Sequence, residues 1–323
     1  MRIVLSFVLA SAVQAAVSCG FDTFNYTETT IDKLQDAIKF IGEVLTGANH
    51  AQHYLDVIDQ LNHNGPRLNA VIETSPTALA QAIAQDRNGT RSGLLHGIPI
   101  LIKDNIATSG DGLTACAGSF AMEGNIAPRD AFLVQKLRAA GAIVLGHANM
   151  VEWANWRTLS KSVDWRYHPP LLTMFHTNSP RSARGGIAKN PYVLTAPTTG
   201  SSSGSGSTVA ANMIPVAIGT ETGLWFVVDM RIDPMGRTVA DVARVLEAIA
   251  GFDPTDPASK DAPVPEYSQT YNALTSFKNV RVAISKEAHD ITKNQFLRRI
   301  PTPPPSRSPN AKYESLILCF ALL

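Results

Sequence analysis

Cysteine is scarce in this chain. Three residues, Cys19, Cys116 and Cys319, occur among 323, too few for a disulfide framework and without the spacing that gathers metal ligands. One bridge with a thiol left over is the most an oxidising compartment could make of them. An excess of charge of one sign is missing too. With 28 basic and 27 acidic side chains the net charge is +1, so there is no basic face of the kind that binds nucleic acid. Beyond the N-terminus no apolar run approaches the roughly 20 residues that cross a bilayer. A composition of 45% hydrophobic and 17% charged residues excludes a disordered chain and fits a globular fold of enzyme size.

What the first residues contain is more telling. Met1-Arg2 is a short positive region, Ile3 to Val13 is apolar, and Val13-Gln14-Ala15 or Gln14-Ala15-Ala16 offers a small-residue cleavage site. This pattern predicts a secretory signal peptide over residues 1–15 or 1–16, hence an extracellular protein with no membrane attachment after cleavage. The competing reading is a buried first helix. Ala16-Val17-Ser18-Cys19 is a poor lipidation box, and the sequons Asn25-Tyr26-Thr27 and Asn88-Gly89-Thr90 fit a glycosylated secreted product.

Hydrophobic periodicity then alternates between helix and strand. Residues 30–63 place Ile31, Leu34, Ile38, Ile41 and Leu45 on one face and Tyr54, Leu55, Ile58 and Leu61 on another, with Gly65-Pro66 as the stop. Residues 76–86 read as an alanine-rich helix. Ile98–Ile102, Ala142–Gly146, Pro215–Ile218 and Val280–Ile284 read as short buried strands. Asp130 is the expected cap of a helix running to Ala140, and Thr238, with Asp241 three residues on, that of a helix closed by Gly251. This order predicts an α/β fold with a parallel or mixed sheet. Residues 157–186, rich in Arg, Pro, Ser and His, and the Pro-rich tail 291–323 stand outside the pattern.

Three stretches could carry chemistry. Lys103 follows a buried strand. It is either a strand-end lysine reaching solvent or an amine kept at an apolar edge, where its pKa falls and it can act as a base. Gly200-Ser201-Ser202-Ser203-Gly204-Ser205-Gly206-Ser207 reads as a flexible linker or as a nucleophile elbow centred on Ser202, between Tyr192-Val193-Leu194 and a helix. It lacks the Gly-Lys-Ser/Thr ending of a P-loop. An elbow would draw on Asp229, Asp233, Asp241 or His289 for its acid and base. Gly219-Thr220-Glu221-Thr222-Gly223 reads as a ligand-presenting turn, oddly followed by Leu224-Trp225.

Taken together in order, these stretches resemble the amidase signature hydrolases, especially their secreted fungal members. Leu95 to Asn105 is similar to the family's lysine motif. Pro128 to Gly146 and Glu152-Trp153-Ala154 follow in the expected order. Gly200 to Gly206 is similar to its glycine/serine signature, and Pro234 to Asp241 to a later landmark. The resemblance spans residues 30–156 and 190–255, with weaker support to about 290. It implies one amidase-like domain over residues 16–290, with a mixed sheet flanked by helices and incomplete in its C-terminal half. It also implies a Ser–cis-Ser–Lys mechanism on a small-molecule amide, with no cofactor and no metal. Lys103 would be the base, Ser201 the relay serine and Ser202 its support. Thr222, Gly223 and Leu224 would form the oxyanion turn.

The resemblance breaks where the nucleophilic serine belongs, because that position holds Trp225, and the glycine before it is Leu224. An indole has no nucleophilic oxygen, and leucine restricts a turn that glycine would allow. A family segment is also missing between residues 222 and 234. With the atypical stretch 157–186 and the tail 291–323, the breaks point to mis-spliced or mis-predicted exons. The resemblance thus implies an amidase impaired in this chain. The alternatives are a non-catalytic amidase-like binding protein and an α/β-hydrolase-type esterase with Ser202 as nucleophile.

Overall fold

The computed structural model describes residues 24–40, 45–89, 93–155, 181–196, 198–221, 231–261, 264 and 266–268. All of them belong to one compact unit, residues 1–273. The expected signal peptide, the strand at 280–284 and the tail lie outside the described residues.

Two helices open the unit, α1 (Ile31–Phe40) and α2 (Gly47–Ile58), the latter continued by a π turn at Asp59–His63. The strand β1 (Val71–Thr74), the helix α3 (Ala78–Arg87) and the strand β2 (Pro99–Lys103) follow. Next come α4 (Phe132–Ala139), β3 (Ile143–Ala148) and a two-stranded ribbon of β4 (Arg181–Ser182) and β5 (Gly186–Ile187). The last elements are α5 (Ser203–Ala210), β6 (Val216–Glu221), β7 (Arg231–Gly236) and α6 (Val239–Ile249).

The main sheet has the order β1-β3-β2-β6-β7. β2 runs parallel to both β3 and β6, while β1 and β7 pair antiparallel at the two edges. The expected mixed sheet is therefore present, in an α/β fold. Every residue of β2 and β3 is buried, which is why both read as nearly continuous apolar runs. Their polar exceptions, Lys103 and His147, fall at the carboxyl ends of parallel strands, where α/β sheets present their ligand sites.

The helix ends explain how distant segments are tied together. The Asp86 carboxylate accepts the backbone N–H groups of Gly47 and Ala48, at 2.9 and 2.8 Å, and so covers the start of α2. Thr238 caps α6 as expected, its hydroxyl accepting from Asp241 N. Asp241 in turn accepts from Ile31 N at 2.8 Å and anchors α1 on α6.

Some expectations are corrected. Asp130 does not cap α4, whose N-cap is Ala131; its carboxylate is drawn instead to Ser109 N and to Arg138. Gly219-Thr220-Glu221 is not a turn but the last half of β6, paired residue by residue with β7. Tyr192-Val193-Leu194 is not a strand; it is a loop with Tyr192 76% exposed. The end of the supposedly extraneous stretch 157–186 is built into the core. Ser182 is buried and donates to Asn149 Oδ1 at 2.7 Å, and Arg184 pairs with Glu73 and Asp104.

Candidate active site

Three segments converge at the carboxyl end of β2. Lys103 is its last residue and is fully buried. The serine run meets it from the start of α5, and Thr220 from the neighbouring strand β6. The run is fixed to the end of β3 by two backbone bonds, from Val151 N to Ser201 O and from Gly204 N to Asn149 O. Gly204 has to be glycine there, because a Cβ would overlap Ala70 O and the Asn149 backbone. A Cβ on Gly200 would run into a Val151 methyl, and the Gly200–Ser201 peptide is cis.

Lys103 Nζ stands 2.7 Å from Ser201 Oγ and 2.9 Å from Ser202 Oγ. It also lies 2.8 Å from Thr220 Oγ1 and 3.2 Å from Thr220 O. Among the described residues four neutral oxygens and no carboxylate contact the amine, which is poor compensation for a buried ammonium. Burial lowers the Lys103 pKa to about 8, against the raising influence of Glu221 and Asp233. The amine thus gives up its proton at a pH well below that of an ordinary lysine. Of the residues singled out from sequence, Lys103, Ser201 and Ser202 are brought together. Thr222, Gly223, Leu224 and Trp225 lie outside the described residues.

The Ser202 hydroxyl is held between two groups of one residue, accepting from Thr220 N and donating to Thr220 O, both at 3.1 Å. Since Tyr192–Leu194 form no strand, the strand–turn–helix context of an elbow is missing. The esterase reading of Ser202 thus lacks the structural context it called for.

Behind the lysine lies a charged cluster that sequence reasoning missed. Glu73, Asp104 and His147 offer ligand atoms within 4.8 Å of one another, a set that invites comparison with a metal centre. The hydrogen bonds assign it otherwise. His147 Nδ1 is 3.0 Å from the Thr114 carbonyl, which can only accept, so that nitrogen carries a proton and has no lone pair for a metal. The Arg184 guanidinium already lies against both carboxylates, at 3.2 Å from Glu73 and 3.5 Å from Asp104. Burial alone would lower the His147 pKa, but its bonds to Asp104 and Glu73 lift it to about 9. Burial would likewise raise that of Glu73, yet His147, Thr114 and Arg184 bring it down to about 2. The cluster is a four-charge network that secures the residue after Lys103. Its one sequence signal is His147, a polar residue in the apolar run of β3. Thr220 and Asn105, which donates to Thr220 Oγ1 at 3.2 Å, were also not singled out as site residues.

Known proteins similar to this chain fall into one family. The family described as Amidase matches residues 52–223. A probable amidase of Arabidopsis thaliana is 38% identical over 294 residues, covering 80% of this chain and 53% of that protein. A putative amidase of Schizosaccharomyces pombe is 40% identical over 198 residues, covering 60% and 30%. Among solved structures, the native peptide amidase from Stenotrophomonas maltophilia superposes with a TM-score of 0.64 at 38% identity, covering 76% of this chain and 53% of its own. The chain thus spans about half the length of the Arabidopsis protein and of the peptide amidase. By the matched family and by these relatives, the chain belongs to the amidase signature family.

Proposed function

We propose that the chain derives from a hydrolase of carboxamide C–N bonds working by a Ser–cis-Ser–Lys relay, and that it is impaired because its nucleophile position holds Trp225. The observation that carries the reading is the 2.7 Å contact between the Lys103 amine and Ser201 Oγ. A lysine with its pKa lowered to about 8 is suited to take a proton from a serine and return it later to a leaving amine. In the intact relay, Ser201 passes to Lys103 the proton of an attacking serine, whose oxygen forms an acyl-enzyme that water then hydrolyses. Lys103 and Ser201 thus supply the base and the proton path, and backbone N–H groups of residues 222–224 would face the oxyanion. Trp225 offers no oxygen for the first step. A covalent-serine enzyme without its nucleophile usually keeps only the small contribution of binding and the oxyanion site.

The substrate class is a small-molecule amide. Residues 1–15 or 1–16 are read as a signal peptide, which makes the product extracellular; N-terminal sequencing of the secreted protein checks this, and an N-terminus at Met1 contradicts it. The functional reading is tested with a serine-directed fluorophosphonate on the chain as it stands and on a Leu224→Gly, Trp225→Ser variant. The reading expects labelling only in the variant, lost again on Lys103→Ala. Labelling of the unaltered chain that disappears with Ser202→Ala would overturn it in favour of the esterase.

A further inference from the structure

Among the described residues four oxygen contacts surround the Lys103 amine, whereas a neutral amine has three ways to bond, two N–H donors and one lone pair. Their roles can be assigned in turn. The Thr220 carbonyl, 3.2 Å away, can only accept and takes one N–H. Ser202 directs its own hydrogen to Thr220 O at 3.1 Å. It can therefore meet Lys103 only as an acceptor, at 2.9 Å, and takes the second N–H. One lone pair is left for two hydroxyls, Ser201 Oγ at 2.7 Å and Thr220 Oγ1 at 2.8 Å. With both amine hydrogens committed, each of these hydroxyls can bond the amine only by donating.

We propose that Thr220 is a positioning residue for the proton relay. Its hydroxyl competes with Ser201 Oγ for the single lone pair of the neutral Lys103 amine, and so sets how often that lone pair faces the serine's proton. This rests on the reading of Lys103 as the relay base. The step it governs is one proton transfer: the Ser201 O–H bond breaks, an N–H bond forms on Lys103, and the electron pair stays on Ser201 Oγ. Once the amine is an ammonium, its three N–H groups face four oxygens, and Thr220 Oγ1 turns from donor to acceptor. It then helps to hold the new charge. Asn105, which donates to the same oxygen at 3.2 Å, keeps the hydroxyl in place through both states. Among the described residues the charged groups facing Lys103 are Glu221 on β6 and Asp233 on β7, and both favour the ammonium; Thr220, like Ser201, changes role with the proton, but it does so without giving up its own.

The test is an NMR titration of the full chain with 13C,15N-labelled lysine, the Lys103 signal being assigned with a Lys103→Met variant. Thr220→Val keeps the shape and removes the hydroxyl, while Thr220→Ser keeps the hydroxyl and removes the methyl. The expected result is that Lys103 titrates at lower pH in Thr220→Val, by roughly half a unit or more, and returns to the parent value in Thr220→Ser. If Thr220→Val does not fold, Thr220→Ala carries the same expectation. Coincident titrations of parent and hydroxyl-less variant overturn the inference. So does a Thr220→Ser curve that follows Thr220→Val, since packing of the methyl would then be what matters. A parent Lys103 titrating in the ordinary lysine range would instead overturn the base reading beneath it, so the two failures are told apart.

Discussion

Lys103 Nζ and Ser201 Oγ stand 2.7 Å apart across 98 positions of chain. Neither residue reaches the other by local structure. The lysine is delivered by the central strand of the sheet, and the serine by a loop pinned to the end of β3 and leading into α5. The contact therefore depends on backbone packing at positions that carry no chemistry, and the predictions begin there.

Two glycines of the same serine run should respond in opposite ways to alanine. At Gly204 a Cβ would overlap Ala70 O and the Asn149 backbone, which cannot rotate away. Gly204→Ala is expected to destabilise by about 3 kcal/mol or more. At Gly206, inside α5 and exposed, a Cβ meets nothing within 4 Å. Gly206→Ala should stabilise by about 0.5–1 kcal/mol. Urea denaturation midpoints of the two variants check both signs.

Arg184 should matter far more than a surface ion pair. Its removal in Arg184→Met leaves the Asp104 carboxylate, whose side chain is 0% exposed, with one positive neighbour fewer. Breaking a buried pair from one side costs about 3 kcal/mol. Lys39→Ala removes a pair whose side chains are 46% and 53% exposed, and there the change should stay under about 0.5 kcal/mol. Equal effects of the two variants in the same denaturation assay would contradict the network's role.

Stability should pass through a maximum near pH 6.5. His147, with its folded pKa raised from 6.5 to about 9, contributes stability that is complete below 6.5 and is lost as pH rises towards 9. His50 has the opposite sign. Burial lowers its folded pKa to about 4, so its contribution is present above 6.5 and is lost as pH falls towards 4. His147→Gln should flatten the slope between pH 6.5 and 8, and His50→Gln that between 4 and 6.5. Lys103, with its folded pKa lowered from 10.5 to about 8, adds stability only above pH 8 and leaves the first window clear.

Much of the site was legible because its residues break a pattern. Lys103 interrupts a buried apolar strand, and the Gly/Ser run is too regular for an ordinary loop. Thr238 and Asp241 announce their helix through local capping chemistry, which needs no tertiary context. The edge strands were not legible. β7 carries Asp233, Pro234 and Gly236, residues of low strand propensity, and exists because β6 pairs with it. The same pairing extends Gly219–Glu221, which composition alone reads as a turn. The charged network escaped notice for a different reason. Glu73, Asp104, His147 and Arg184 lie far apart in sequence, and only the sheet order brings them together.

The central claim is that Lys103 is a base poised on Ser201, in an amidase scaffold whose nucleophile position is lost. The measurement closest to it is the NMR titration midpoint of the Lys103 amine in the unaltered chain. The account predicts a midpoint near 8, far below an ordinary lysine. A midpoint near the model-compound value of about 10.4 would contradict it.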